Sequence, residues 1–317
     1  MPIAQEGEGT EMSHDEPYHF AHRVTSVGPA QGMTFTGQRR AVKATGDKDL
    51  PLVIAVHGGG YTSAYFDVPD YSLLDRAAGL GLPIIAVDRP GYGGSSPVSP
   101  DGSVLLANAA ALEHLISELW AANGAGTAGV FLIGHSIGAE ISLLIAARKP
   151  PWPLLGIAVS GCLLRQPEGF AERWAAIPDL TMESPNDQKA ARMFGPEWTR
   201  RGDMPEASYF TSVPVLTAEL VETASNWQDT FREIAPNISV PVHLRQGEFE
   251  KLWITDAEQI AEFTADLTAC PQVDAEIFPA AGHAIDYHRA GAAFQVQQLS
   301  FALNCAARHI TRTSDPD

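Results

Sequence analysis

The sequence predicts an open α/β sheet with helices on both faces, interrupted by one helical insertion. Short apolar, β-branched runs alternate with helix-patterned stretches along most of the chain, the pattern of a mostly parallel sheet. Several of these runs end in glycine-bearing loops, which suits ligand-facing turns at the carboxyl ends of buried strands. One long segment, residues 163–237, breaks the alternation with helix-compatible pieces, prolines and many large apolar side chains. That is too long for an ordinary loop.

Residues 1–17 are polar and acidic and are expected to be disordered. Tyr18 to Ser26 and Met33 to Val42 read as two strands around the turn Gly28-Pro29-Ala30. Pro51 to Val56 and Leu82 to Val87 are β-branched runs, followed by Gly58-Gly59-Gly60 and by Arg89-Pro90-Gly91-Tyr92-Gly93-Gly94. Val104 to Ala121 carries Leu105, Ala109, Leu112, Ile116 and Leu119 at helical spacing. The run Gly129 to Ile133 is strand-like, and Ala139 to Arg148 is helix-like. Leu154 to Val159, Pro241 to Arg245 and Ala275 to Pro279 read as further strands. A helix from Asp256 has the capping pattern Thr255 followed by Glu258, with Ile260, Phe263 and Leu267 on its apolar face. A final helix is expected over Ala292 to Ala307. The segment 163–237 is expected to form a helical cap, with 18–162 and 238–310 as the body. Most of its aromatics, Phe170, Trp174, Met193, Phe194, Trp198, Tyr209, Phe210 and Trp227 among the large apolar side chains, are expected to pack the cap onto the body. One or two would line an apolar pocket.

Composition narrows the function classes. The chain has 317 residues and a formal net charge of -17, with no basic stripe to displace phosphate counterions, so a nucleic-acid partner is not expected. The charge also disfavours strongly anionic substrates. Three widely spaced cysteines, Cys162, Cys270 and Cys305, make neither a disulfide framework nor a metal cluster. The first residues lack the apolar core of a secretory signal, and no apolar run approaches about 18 residues. A cytoplasmic protein with no membrane partner, monomeric or homodimeric, is the expectation. No H-E-x-x-H, paired C-x-x-C, G-x-G-x-x-G in a strand-to-helix turn or phosphate-loop motif is present, so no metal and no cofactor is expected.

Serine chemistry has all its parts. Gly134-His135-Ser136-Ile137-Gly138 closes a strand-like run and opens a helix-like one, the setting in which a sharp turn exposes a serine hydroxyl at a sheet tip. Small residues at 134 and 138 permit the turn. A serine hydroxyl needs a base, and the base needs an orienting acid. His283, in Ala281-Gly282-His283-Ala284 after the last strand, is the base candidate; His243 lies within a strand and His288 in the next segment. The acid belongs in Gln246-Gly247-Glu248-Phe249-Glu250: Glu250 is preferred, Glu248 is the close alternative and Asp256 the distant one. Negative charge on the attacked carbonyl requires preorganised N–H donors. Ile137 supplies one from the elbow and Gly59 the second. Gly58, Gly60, Tyr61, His135, Trp174 and Phe194 are expected beside the substrate, whereas His57 is expected to hold its loop. Asp88 is expected to brace the following loop through Arg89, and Glu140, one turn after the nucleophile, to be buried and paired or to point toward the cap.

The pattern resembles the α/β-hydrolase superfamily. The matching pieces are His57-Gly58-Gly59-Gly60, Asp88 to Ser95, Gly134 to Gly138, Gly247 to Glu250 and Gly282-His283, in the family's order and spread over Tyr18 to Ala307. The resemblance implies an eight-stranded, mostly parallel sheet with a cap after the sixth strand, where the aromatic insertion falls. It also implies Ser136, Glu250 and His283 as a triad, with Gly59 and Ile137 as the oxyanion hole. Lid-bearing relatives commonly place aspartate at the acid position, and here it would be glutamate. The H-G-G-G run is similar to the hormone-sensitive-lipase branch, whereas the elbow and the Asp88 to Ser95 loop look like the lid-bearing branch. A serine at the elbow disfavours epoxide hydrolases and haloalkane dehalogenases. The expected activity is hydrolysis of a carboxylic ester or lactone of a moderately bulky, hydrophobic substrate. The alternatives are a carbon–carbon hydrolase or acyltransferase on an aromatic or polyketide-like substrate, and a non-catalytic ligand-binding protein.

Overall fold

A computed structural model describes residues 18–41, 47–99, 101–124 and 126–314. The segment 1–17, expected to be disordered, lies outside them. Strands β1 (Tyr18–Arg23), β2 (Thr34–Arg40), β3 (Pro51–Val56) and β4 (Ile84–Val87) open the chain, with helix α1 (Leu73–Gly79) between the last two. Helix α2 (Val104–Leu119), β5 (Gly129–His135), α3 (Ile137–Ala147) and β6 (Leu154–Ser160) follow. Next come α4 (Phe170–Ala175), β7 (Thr181–Met182), α5 (Asn186–Met193), β8 (Val215–Leu216) and α6 (Thr217–Ile234). The chain then returns through β9 (Val242–Gly247), α7 (Ala257–Asp266), β10 (Val273–Phe278) and α8 (Gly291–Ser314).

Eight strands form one sheet in the order β1-β2-β4-β3-β5-β6-β9-β10. β1 and β2 pair antiparallel, as do β2 and β4; the remaining neighbours are parallel. A parallel interior must be covered on both faces, and β3 shows how. Leu52, Ile54 and Val56 pack with α2 and α3 through Leu112, Leu115, Ile141 and Leu144. The alternate residues Val53 and Ala55 join Leu73 and Leu74 of α1 and Leu299 and Ala302 of α8 in a separate cluster. All six residues of β3 are buried, which explains its continuous apolar character.

Two local expectations are corrected. The cap of α7 is Asp256, whose side chain accepts from Gln259 N, one residue beyond the expected Thr255. Thr255 Oγ1 instead turns back to the Trp253 carbonyl. Asp88 and Arg89 form no brace with each other. Asp88 accepts from Ser63 N at 2.6 Å and Thr36 Oγ1 at 2.5 Å, while Arg89 pairs with Glu219 of α6.

The stretch between β6 and β9 is tied to the body at its far end. Arg89 and Glu219, both with side chains at 0% exposure, meet at 2.5 Å, and the Tyr92 hydroxyl donates to the same carboxylate at 2.6 Å. Glu222 accepts from Ser103 Oγ and from Val104 N at the start of α2, where a carboxylate satisfies free N–H groups. Trp227 Nε1 donates to the Leu163 carbonyl at 2.9 Å. Helix α6 is therefore anchored by polar contacts as well as by buried Trp227 and Phe231.

Candidate active site

The turn from β5 into α3 holds Ser136 at φ 54°, ψ -125°, a conformation that L side chains adopt only when their surroundings impose it. Those surroundings are tight. A Cβ on Gly138 would collide with the Val56 carbonyl oxygen, and one on Gly134 would lie 2.6 Å from Ser142 Oγ. The Ser136 N–H donates to the Ser160 carbonyl at 2.8 Å, so the backbone is held while the side chain faces a cavity of about 300 Å³. The Ile137 N–H opens α3 and has no backbone acceptor among the described residues, as expected for a first-turn donor. Gly59 and Ile137 line the same cavity, and an added Cβ on Gly59 would meet Ile137 Cδ1 at 2.8 Å. Gly59 and Ile137 thus reach the cavity from two different segments of the chain.

The loop bearing Gly59 is held by the imidazole of His57. Burial, reinforced by nearby Arg89, keeps this ring neutral by lowering its pKa well below the usual value. Its Nδ1–H donates to the Gly58 carbonyl at 2.8 Å, and Nε2 accepts from Arg89 N at 3.0 Å. Further along, Val213 N donates to the Gly60 carbonyl at 3.0 Å, joining this loop to the segment between β6 and β9.

His283 also opens onto the cavity, though no hydrogen bond joins it to Ser136 Oγ among the described residues. Its Nδ1–H donates to Glu250 Oε2 at 2.7 Å, and the two side chains are 1% and 0% exposed. This leaves Nε2 as the nitrogen with capacity for a further partner. The other Glu250 oxygen accepts from Lys251 N at 2.8 Å and Leu252 N at 2.7 Å, and Gln246 Nε2 donates to Oε2 at 3.2 Å. Glu248, the close alternative, is exposed and accepts from Ala280 N at 2.8 Å. Asp256 caps α7. The structure thus brings Ser136 and His283 to one cavity, with Glu250 bonded to His283, and leaves Glu248 and Asp256 with other partners.

Of the residues expected beside the substrate, Gly60, Tyr61 and Trp174 line the cavity. Gly58, His135 and Phe194 do not. Gly58 packs against Ser136 Cβ. His135 is buried, stacked on Tyr65 with ring centroids 4.5 Å apart, because a strand residue next to the elbow points to the opposite sheet face. Phe194 packs on Tyr287 and His288. The other base candidates do not line the cavity: His288 Nε2 accepts from Gly195 N and Gly282 N, each at 3.0 Å, and His243 is buried within β9 against Phe301.

The remaining lining includes Lys189 and Arg192 of α5 and Val215 and Thr223. Their sequence signal was weak: a short, polar helix among aromatics gives no strong apolar period. Glu140 is buried beneath α6, accepting from Thr223 Oγ1 at 2.7 Å. Among the described residues no group of three or more His, Cys, Asp or Glu is placed to share a metal ion, and no helix is long and apolar enough to cross a membrane.

Residues 53–294 match a family model described as the alpha/beta hydrolase family. No curated protein matches the chain in sequence. Solved structures do match in fold. A monoacylglycerol lipase from Paleococcus ferrophilus superposes with TM-score 0.62 at 18% identity, covering 92% of this chain and 99% of the lipase. A thermophilic esterase from Thermogutta terrifontis gives 0.59 at 20% identity, covering 90% and 98%. E-2-(acetamidomethylene)succinate hydrolase gives 0.64 at 18% identity, covering 90% and 100%. At such identity the likeness is one of fold.

Proposed function

Because the chain belongs to the alpha/beta hydrolase family, we propose that it hydrolyses carboxylic esters or lactones through an acyl-enzyme on Ser136. The observation that carries this reading is the buried Glu250–His283 pair, opening onto the same cavity as a serine held at a strained turn. Fold neighbours that are an esterase and a monoacylglycerol lipase support ester chemistry.

Glu250 holds the imidazole with its proton on Nδ1, so Nε2 takes the Ser136 hydroxyl proton as Oγ attacks the ester carbonyl. The hydrogen bond absent from the free protein forms as the Michaelis complex closes, a usual tightening for catalytic groups. The carbonyl π pair moves onto oxygen, where the Gly59 and Ile137 N–H groups receive the charge. Collapse breaks the carbon–oxygen bond to the alcohol, which leaves with the proton from His283. Water then attacks the acyl carbon and gives its proton to His283. The second collapse releases the acid and returns that proton to Ser136. The segment 163–237 acts as a cap that walls the cavity through Trp174, Lys189 and Val215.

The test is turnover of a panel of 4-nitrophenyl esters by Ser136→Ala. The expected loss in kcat is about 10⁴-fold or more, since a missing nucleophile removes the whole relay. Unchanged turnover by the variant overturns the proposal.

A further inference from the structure

The cavity is not the apolar slot expected from the aromatic insertion. Helix α5 presents Asn186, Lys189, Arg192 and Met193 to it. Residues three apart share a helix face, so Lys189 and Arg192 arrive together. Lys189 Nζ donates to the Gly60 carbonyl at 2.7 Å and to Ser212 Oγ at 3.0 Å, and sits 3.6 Å from the centre of the Tyr61 ring. Arg192 Nη2 donates to Ser184 Oγ at 2.6 Å. Neither cation pairs with a carboxylate among the described residues. Glu183 also lines the cavity, but it is exposed and pairs with neither.

Two like charges share a half-buried wall. Burial, and secondarily Arg192, lowers the Lys189 pKa to about 7. Two cations on one wall are costly without a counter-charge, which their neutral hydrogen-bond partners do not supply. It also runs against composition, because the chain has 38 acidic and only 21 basic residues. An anion between the two would convert the cost into charge-assisted hydrogen bonds, with the planar guanidinium suited to a carboxylate.

We propose that Lys189 and Arg192 form a carboxylate-binding subsite, so that the ester substrate is an anion whose carboxylate lies away from the scissile bond. The substrate class rests on the ester reading above; the subsite itself does not. It revises the expectation that a strongly anionic substrate is disfavoured, because the local field of two cations outweighs distant, screened charges.

Matched esters read the subsite and locate the carboxylate. One pair is 4-nitrophenyl butyrate and mono-4-nitrophenyl glutarate, which differ by a carboxylate on the acyl side. The other is phenyl acetate and 4-acetoxybenzoate, which differ on the alcohol side. With uncatalysed hydrolysis subtracted, one pair is expected to favour its anionic member in kcat/KM by about tenfold or more, the effect of roughly one charge-assisted contact. That ratio is expected to collapse toward the neutral value in Arg192→Met and to recover partly in Arg192→Lys. Taking the ratio within each variant cancels any general loss of folded enzyme. Calorimetric titration of the same esters into Ser136→Ala reads binding without turnover. No turnover of any ester by the wild type, with anion-selective binding retained, would sink the ester chemistry and leave the subsite standing. Equal binding and equal turnover of charged and neutral members, or a preference unmoved by Arg192→Met, overturns the subsite.

Discussion

In the proposed mechanism, the Glu250 carboxylate acts through the imidazole it orients. With Nδ1–H donated to Glu250, only Nε2 is left to serve as base; an amide there could favour the wrong tautomer. Glu250→Gln is therefore expected to lower kcat by about 10³–10⁴-fold, and Glu250→Asp to lose less. Glu248→Gln, at an exposed side chain bonded to Ala280 N, should leave kcat/KM essentially unchanged. Steady-state kinetics of the three variants checks this, and a larger loss at Glu248 contradicts it. Sequence spacing alone left these two glutamates close. The distinction lies in the turn after β9, which points one into the fold against Lys251 N and Leu252 N and the other outward. Backbone direction in a tight turn is not encoded by residue type alone.

Glu140 carries a second prediction at this scale. Burial pushes its pKa up to about 8, against an ordinary 4.5, with the Thr223 hydroxyl opposing. The folded chain then holds the proton more tightly than the unfolded chain. The stability linked to this group is fully present below its unfolded pKa of 4.5 and is lost as pH rises through the folded pKa of about 8. Glu140→Gln cannot ionise, so its melting temperature should fall less than that of the wild type between about pH 5 and about pH 8. Parallel pH profiles for the two proteins count against a proton held at this site.

At the scale of elements, α6 is the hinge of the account. Its Glu219 is buried against Arg89 and Tyr92, so removing one partner strands a charge. Arg89→Met is expected to cost about 3–5 kcal/mol of stability, and the double change Arg89→Met with Glu219→Leu to cost distinctly less. Urea unfolding of the two variants measures the difference; equal losses would show that charge compensation is not what holds α6. The sequence reading paired Arg89 with its neighbour Asp88 instead. Successive residues at a strand end project to opposite sides, so the two diverge, Asp88 toward Ser63 and Thr36 and Arg89 toward α6. The cap of α7 slipped for a related reason. Thr255 and Asp256 are both competent caps, and only the register of the first turn selects Asp256.

Across the whole molecule, the features repeated over many residues were the readable ones. The buried runs of β3, β4, β5, β6 and β9 and the glycine turns after them follow from steric and burial constraints that one sequence displays. The arrangement of residues 163–237 does not, because α5 is short and polar and its cavity face becomes visible only once it is folded over the sheet. A cavity of about 300 Å³ is at the small end for ligand sites. Activity on 4-nitrophenyl esters should therefore peak at acetyl to butyryl chains and fall steeply by palmitoyl. A palmitoyl optimum would mean that residues 163–237 move further than this packing allows.

The claim on which the rest depends is that Ser136 becomes acylated. Rapid quenching of the enzyme during turnover of 4-nitrophenyl butyrate, followed by peptide mass spectrometry, tests it most directly. The expected result is a butyryl group on the peptide containing Ser136, absent from Ser136→Ala and greatly reduced in His283→Ala. Turnover that persists in Ser136→Ala with no acyl group on any peptide would contradict the account.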